Sequence, residues 1–173
     1  MPRFGSHRVL APNVFLEVEG VDFEDFEVGQ VFEHRPGRTL TAIENLLHTV
    51  RSLDLSPRVV DVQYAEGVHA GDQTISETFV LGVVTALTTK TFGKVVANLG
   101  WKDVRFPRPV RPGDTVYAES EILGARESRS RPTQGLLHIR TRALDQRGEE
   151  VCVFTRDLLV YRRGHGPYGA AGY

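Results

Sequence analysis

After Gly93 the hydrophobic periodicity of this chain switches from that of a helix to that of strands, and it stays strand-like for the next seventy or so residues. Four extended segments are expected, over residues 95–106, 115–123, 135–144 and 150–161. In the third, Leu137, Ile139, Thr141 and Ala143 alternate with His138, Arg140 and Arg142, which predicts one buried and one wetted face. Two of the connections, Arg111-Pro-Gly-Asp114 and Asp145-Gln-Arg-Gly148, are turn sequences: proline presets φ and glycine accepts positive φ. Just upstream, Phe79, Val80, Val83, Val84 and Leu87 form the buried stripe of a long helix expected over about residues 75–92. Thr74 and Glu77 are spaced as its capping box, and Gly82 is expected to allow close packing on the sheet. A long helix covered by an antiparallel sheet is an α+β solution with two packed layers.

An earlier helical pattern places Ile43, Leu46, Leu47, Val50 and Leu53 on one face at spacings of three and four. Thr41 is its expected N-cap, with Glu44 three residues on as the capping-box partner. Before it, Phe23-Glu-Asp-Phe-Glu-Val-Gly29 reads as an ordered lead-in to a short strand near residues 30–35. No internal repeat or interdomain linker interrupts the chain. Residues 164–173, rich in glycine, have little to pack and are expected to form a flexible tail.

At 173 residues the chain suits one domain with a real core. A net charge of −1 leaves no basic footprint for nucleic acid. No apolar run approaches the roughly 18–20 residues that a membrane span needs, and the first residues lack the apolar stretch of a secretion signal, so a soluble, cytoplasmic protein is expected. The single cysteine, Cys152, lies in the apolar run Val151-Cys-Val-Phe154 and reads as a buried thiol. The histidines and carboxylates show no metal-ligand spacing, so no metal is expected. Trp101 and Phe106 are expected in the core.

Several short motifs recur in order: Phe26-Glu-Val-Gly-Gln30, Gly37-Arg-Thr39, a helix carrying Asn45 and Thr49, Asp61-Val-Gln-Tyr-Ala65, Ala97-Asn-Leu-Gly-Trp101, Arg105-Phe-Pro107, Arg111-Pro-Gly-Asp114 and Glu127-Ser-Arg-Ser-Arg-Pro132. Together they resemble the MaoC-like family of hot-dog-fold acyl-CoA hydratases and dehydratases, nearest the branch of mesaconyl- and itaconyl-CoA hydratase-like proteins. The resemblance covers about residues 23–163. It implies a single hot-dog domain over residues 1–163, in which an antiparallel sheet wraps a long central helix and a helical overhang is inserted before that helix. It also implies an acyl-CoA thioester as substrate, coenzyme A entering only as part of that substrate, and a homodimer or higher homo-oligomer.

Hydration of an enoyl thioester needs a base to activate water, an acid to protonate the α-carbon, and N–H donors for the thioester oxygen. In the family an acidic residue and a histidine five positions later supply the first two, in a pattern like Asp-x-Asn-Pro-x-His. Here the segment is Asp54-Leu-Ser-Pro-Arg-Val59. Asp54 takes the acidic position and Pro57 the proline, Ser56 replaces the asparagine, and Val59 replaces the histidine. Valine cannot move a proton. The catalytic candidates are therefore Asp54 as base, with His48 or His69 recruited as proton donor; the alternative is that His48 is a scaffold residue, His69 a solvated loop residue and Asp54 an ordinary helix-end carboxylate. The expected oxyanion donors are backbone N–H groups around Ser76 and Glu77 at the start of the second helix. Asn98 and Gly100 on the Ala-Asn-Leu-Gly strand are candidate ligand contacts, and Arg129 and Arg131 in a hairpin loop are candidate grips for the coenzyme A phosphates.

Three functions fit these residues. One is a lyase of the enoyl-CoA hydratase type, including for a branched or dicarboxylic acyl chain. A second is a partner-dependent or non-catalytic acyl-CoA-binding subunit, which the missing histidine favours. The third is a hot-dog thioesterase, with Asp54, Asp61 or Glu77 aimed at the carbonyl carbon.

Overall fold

The computed structural model describes residues 7–18, 20–68 and 73–168. Seven strands and four α-helices follow in the order β1 (His7–Ala11), β2 (Val14–Glu17), β3 (Val31–Thr39), α1 (Ala42–Ser52), α2 (Pro57–Val60), α3 (Val62–Val68), α4 (Glu77–Leu87), β4 (Val95–Arg105), β5 (Thr115–Glu127), β6 (Gln134–Leu144) and β7 (Glu150–Tyr161). A short 3-10 turn at Phe23–Asp25 precedes β3. Five strands form one sheet in the order β3-β5-β6-β7-β4, and every pairing is antiparallel. The four long strands after α4 thus match the sequence expectation, with Gly113 and Gly148 at positive φ in the two turns.

The central helix lays Val80, Val83 and Val84 on Val116, Ala118, Ala143, Cys152 and Phe154 of the sheet, with Phe79 and Leu87 packed alongside. Phe154 is fully buried, a burial that contributes about 1.5–3 kcal/mol. A second core, beyond the C-terminal end of α4, joins Phe23, Phe26 and Phe92 to Ile122, Leu137, Leu158 and Val160. This is the α+β hot-dog arrangement.

Several expectations need correction. The central helix is shorter than residues 75–92, and the Thr74–Glu77 capping box does not form. Instead the N–H of Ile75 donates to the Val110 carbonyl at 2.8 Å and that of Ser76 to Asn45 Oδ1 at 2.8 Å, so both residues are held outside the helix. At the other end Thr88 and Thr89 donate their hydroxyls back to the carbonyls of Thr85 and Ala86 at 2.7 Å, and the backbone tightens to i→i+3 bonds. A Cβ at Gly82 would meet open space, so this glycine serves no close approach.

On α1 the capping box of Thr41 and Glu44 is present as expected, but the apolar stripe is turned outward. Ile43, Leu46, Leu47 and Val50 are exposed, and the buried residues are the polar pair Asn45 and Thr49. Trp101 is likewise on the surface, 41% exposed on the edge strand β4. The β1–β2 hairpin, with Asn13 in its turn at φ 61°, had no counterpart in the sequence reading and forms a separate two-stranded sheet. Part of the expected tail is packed: Tyr168 meets the Tyr161 ring edge-on, and the Lys94 ammonium lies over its face. Residues 169–173 lie outside the described residues.

Candidate active site

Three loops and two helix ends converge where α1 finishes and α4 begins. α1 ends on Leu53, which takes the left-handed conformation (φ 57°) and, with Asp54, donates its N–H to the Thr49 carbonyl. Glycine usually holds that position, since a side chain there costs about 1–2 kcal/mol. The turn swings Asp54 back toward α4, and Pro57 starts α2 three residues later.

Asn45 holds the two helices in register. Buried to 1% exposure, it donates from Nδ2 to the Thr74 carbonyl at 3.1 Å and accepts the Ser76 N–H on Oδ1 at 2.8 Å. With Ser76 fixed, its hydroxyl donates to Asp54 Oδ2 at 2.7 Å instead of capping its own helix. Among the described residues the other Asp54 oxygen receives only a long contact from the Ser56 N–H, 3.4 Å. A carboxylate at the start of this 11-residue helix is favoured by the helix dipole, by about 0.3–1 kcal/mol.

The bonds continue past Ser76. Its Oγ lies 2.9 Å from Thr78 Oγ1, which lies 2.8 Å from His48 Nε2 on the facing helix. The His48 ring stacks on Phe79, with centroids 5.2 Å apart and planes 21° apart. Asp54, Ser76, Thr78 and His48 thus form one continuous hydrogen-bonded chain.

Asp54, Ser76, Glu77 and Thr78 line a cleft of about 220 Å³, together with Val59, Phe106, Arg58 and Arg108. Val59 lines that cleft at 8% exposure, so the position that the resemblance matches to a histidine lies at the cleft wall. Phe106 packs against the core while lining the cleft. Arg108 is ion-paired with Glu149 at 3.4 Å.

The structure therefore brings together Asp54, His48, Ser76 and Glu77 of the sequence candidates. It shifts the donor assignment by one residue, because the Ser76 N–H is taken by Asn45; the helical N–H groups of Glu77 and Thr78 follow, and a first turn has no intrahelical acceptor for them. Asn98 and Gly100 lie on β4, where Asn98 accepts from the Arg156 guanidinium at 3.3 Å; Arg129 and Arg131 lie in the β5–β6 turn. None of these four lines the cleft. Asp61 caps the start of α3 by accepting the Tyr64 N–H at 3.0 Å, also away from the cleft. His69 lies outside the described residues. Thr78, Arg58 and Arg108 were not anticipated, and neither was the anchoring role of Asn45. The one available signal was the polar pair Asn45 and Thr49, four residues apart opposite an apolar stripe.

Other perturbed groups sit away from the cleft. Burial, with the Arg156 and Arg35 charges beside it, pushes His34 down to about 4. Burial lowers Arg156 to about 10 and pushes the Cys152 thiol up to about 12, consistent with a packed and unreactive sulfur. Among the described residues no three His, Cys, Asp or Glu side chains gather as a metal site would require. Nor is any described helix long and apolar enough to cross a membrane.

A family model described as mesaconyl-CoA hydratase matches residues 13–169. The chain belongs to the mesaconyl-CoA hydratase family. It is 31% identical over 150 residues to a mesaconyl-CoA hydratase of Cereibacter sphaeroides, covering 82% of this chain and 41% of the relative. Among solved structures it is similar to a double-hot-dog protein of Mycobacterium tuberculosis (TM-score 0.79, 26% identity, 84% of this chain and 45% of that one). It is also similar to a MaoC-like dehydratase of Rhodospirillum rubrum (TM-score 0.73, 25% identity, 83% of this chain and 99% of that one). The chain thus spans about two-fifths of the length of the curated relatives it matches.

Proposed function

We propose that this family member is an acyl-CoA hydratase or dehydratase, which adds or removes water across the 2,3 double bond of an enoyl thioester. The observation that carries the reading is the Asp54 carboxylate, held on one oxygen by Ser76 at the start of α4 and open to the cleft on the other side. In hydration that carboxylate takes a proton from water as the water oxygen bonds to C3. The π electrons move toward C1, and the N–H groups of Glu77 and Thr78 receive the negative charge that develops on the thioester oxygen. C2 then takes up a proton.

The names of the relatives, and the Arg58 and Arg108 guanidinium groups at the cleft, support a branched, dicarboxylic acyl chain whose free carboxylate can pair with arginine. Addition of water needs no redox partner, so the proposed requirement is for no cofactor beyond the coenzyme A of the substrate. The proposed setting is the cytoplasm. A homodimer is the proposed assembly, supported by the outward apolar face of α1, by the exposed edge strand β4 with Leu99 and Trp101, and by relatives about twice as long. In such an assembly Asn98, Gly100, Arg129 and Arg131 would reach a site only across the interface.

Val59 favours one other reading, a binding subunit whose partner supplies the proton donor. Loss of enoyl absorbance from crotonyl-CoA and mesaconyl-CoA, with released thiol scored in parallel, separates the two. The wild-type chain is expected to hydrate without releasing thiol, and Asp54→Asn to lose about 10²–10⁴-fold in kcat while still binding acyl-CoA. Unchanged turnover in Asp54→Asn would refute the mechanism, and tight binding without any wild-type hydration would favour the binding subunit.

A further inference from the structure

Among the described residues the cleft is lined by a base but, with Val59 where an imidazole is expected, by no histidine to protonate C2. We propose that the Ser76 hydroxyl is the proton donor for C2, and that it is reloaded from His48 through Thr78. This rests on the hydratase reading above and adds to it the source of the second proton.

The polarity of the chain follows from counting hydrogens. A serine or threonine hydroxyl has one hydrogen to give. Ser76 donates its hydrogen to Asp54, so the 2.9 Å contact with Thr78 must be donated by Thr78. The Thr78 hydrogen is then committed, so the 2.8 Å contact with His48 must be donated by Nε2–H. While Asp54 is ionised, all three bonds point from His48 toward the cleft. A chain of hydroxyls aligned this way can pass a proton by short hops with no movement of heavy atoms, and each bond polarises the next. The Phe79 ring keeps the imidazole in register for the first hop.

Protons balance over one turnover that starts from an Asp54 carboxylate and a His48 imidazolium. Asp54 takes one proton from water as the C3–O bond forms. Ser76 gives its proton to C2, Thr78 gives its own to Ser76, and His48 Nε2 gives one to Thr78. Product forms with Asp54 protonated and His48 neutral. The proton on Asp54 then returns through Ser76 and Thr78 to His48 Nε2, which restores the starting state. Dehydration runs the same hops in reverse. Among the side chains only Asp54 and Ser76 touch the reacting atoms, and the Thr78 hydroxyl and the His48 ring act through them.

Thr78 is exposed, so its replacement leaves the fold intact. The test measures kcat and KM for crotonyl-CoA and mesaconyl-CoA in Thr78→Val, Thr78→Ser and His48→Gln beside the wild type. Thr78→Val keeps the branched shape without the hydroxyl and is expected to lower kcat about 10²–10⁴-fold, the range for a general acid, with KM little changed. Thr78→Ser, which restores the hydroxyl, is expected to return most of the rate. His48→Gln can donate a hydrogen bond but cannot relay a proton, and is expected to match Thr78→Val. Imidazole nitrogen NMR, with His48 assigned by its loss in His48→Gln, is expected to show hydrogen on both ring nitrogens, the imidazolium from which the relay starts. Near wild-type kcat in both Thr78→Val and His48→Gln, with Asp54→Asn inactive, would overturn the relay and leave the hydratase reading standing. A resting His48 with hydrogen on only one ring nitrogen would overturn it as well. A wild-type chain silent toward both thioesters would instead refute the hydratase reading.

Discussion

Replacing Asn45 with leucine isolates the device that sets the site. The side chain is 1% exposed and joins two backbone groups of the segment leading into α4. Leucine has nearly the same size, so the change removes hydrogen bonding and adds little cavity. The Ser76 N–H is left buried without an acceptor, at about 1–3 kcal/mol. The Thr74 carbonyl is half-buried and can take water, so its loss adds only about 0.5–1 kcal/mol. The sum is about 1.5–4 kcal/mol. With a urea m-value of about 2 kcal/mol/M, the unfolding midpoint should fall by about 0.7–2 M. Because the same bond fixes Ser76 against Asp54, kcat for enoyl-CoA hydration should fall in the protein that remains folded, well below the denaturation midpoint. A midpoint within about 0.3 M of wild type, a shift of under 1 kcal/mol at that m-value, would refute the claim that Asn45 carries this junction.

His34 predicts the acid limb of stability. Its folded value is lowered to about 4 from 6.5, so the unfolded chain binds more protons between those two pH values. Stability contributed by neutral His34 is then complete above about pH 6.5 and is lost as pH falls toward 4, by about 3 kcal/mol in all. His34 Nε2 lies 2.9 Å from Ser120 Oγ; His34→Gln, which can keep that contact, should flatten urea midpoints measured across that window, and an unchanged pH profile would contradict the assignment. For assembly, light scattering at micromolar concentration should give at least twice the chain mass, and a stable monomer would refute the proposed dimer. Leu46→Glu on the outward face of α1 should weaken any dimer that uses this face.

The sequence by itself determined the sheet, the central helix and the candidate carboxylate. Alternation at Leu137–Ala143 follows from a local period of two, and it predicted the fully buried residues of β6 correctly. The turns at Arg111–Asp114 and Asp145–Gly148 are set by proline and glycine within four residues. Asp54 was legible because its motif is contiguous, and so was the replacement at Val59. Only tertiary structure decided the rest. Periodicity says that Ile43, Leu46, Leu47 and Val50 share a face, but not whether the core or the outside lies opposite. The buried bonds of Asn45 turned that face outward. The same bonds, from a residue 31 positions away, moved the start of α4 past Thr74. Asp54 meets Ser76 across 22 positions and His48 meets Thr78 across 30. No local pattern marks such pairs, because a hydrogen bond depends on distance in space, and that distance exists only once α1 lies beside the start of α4.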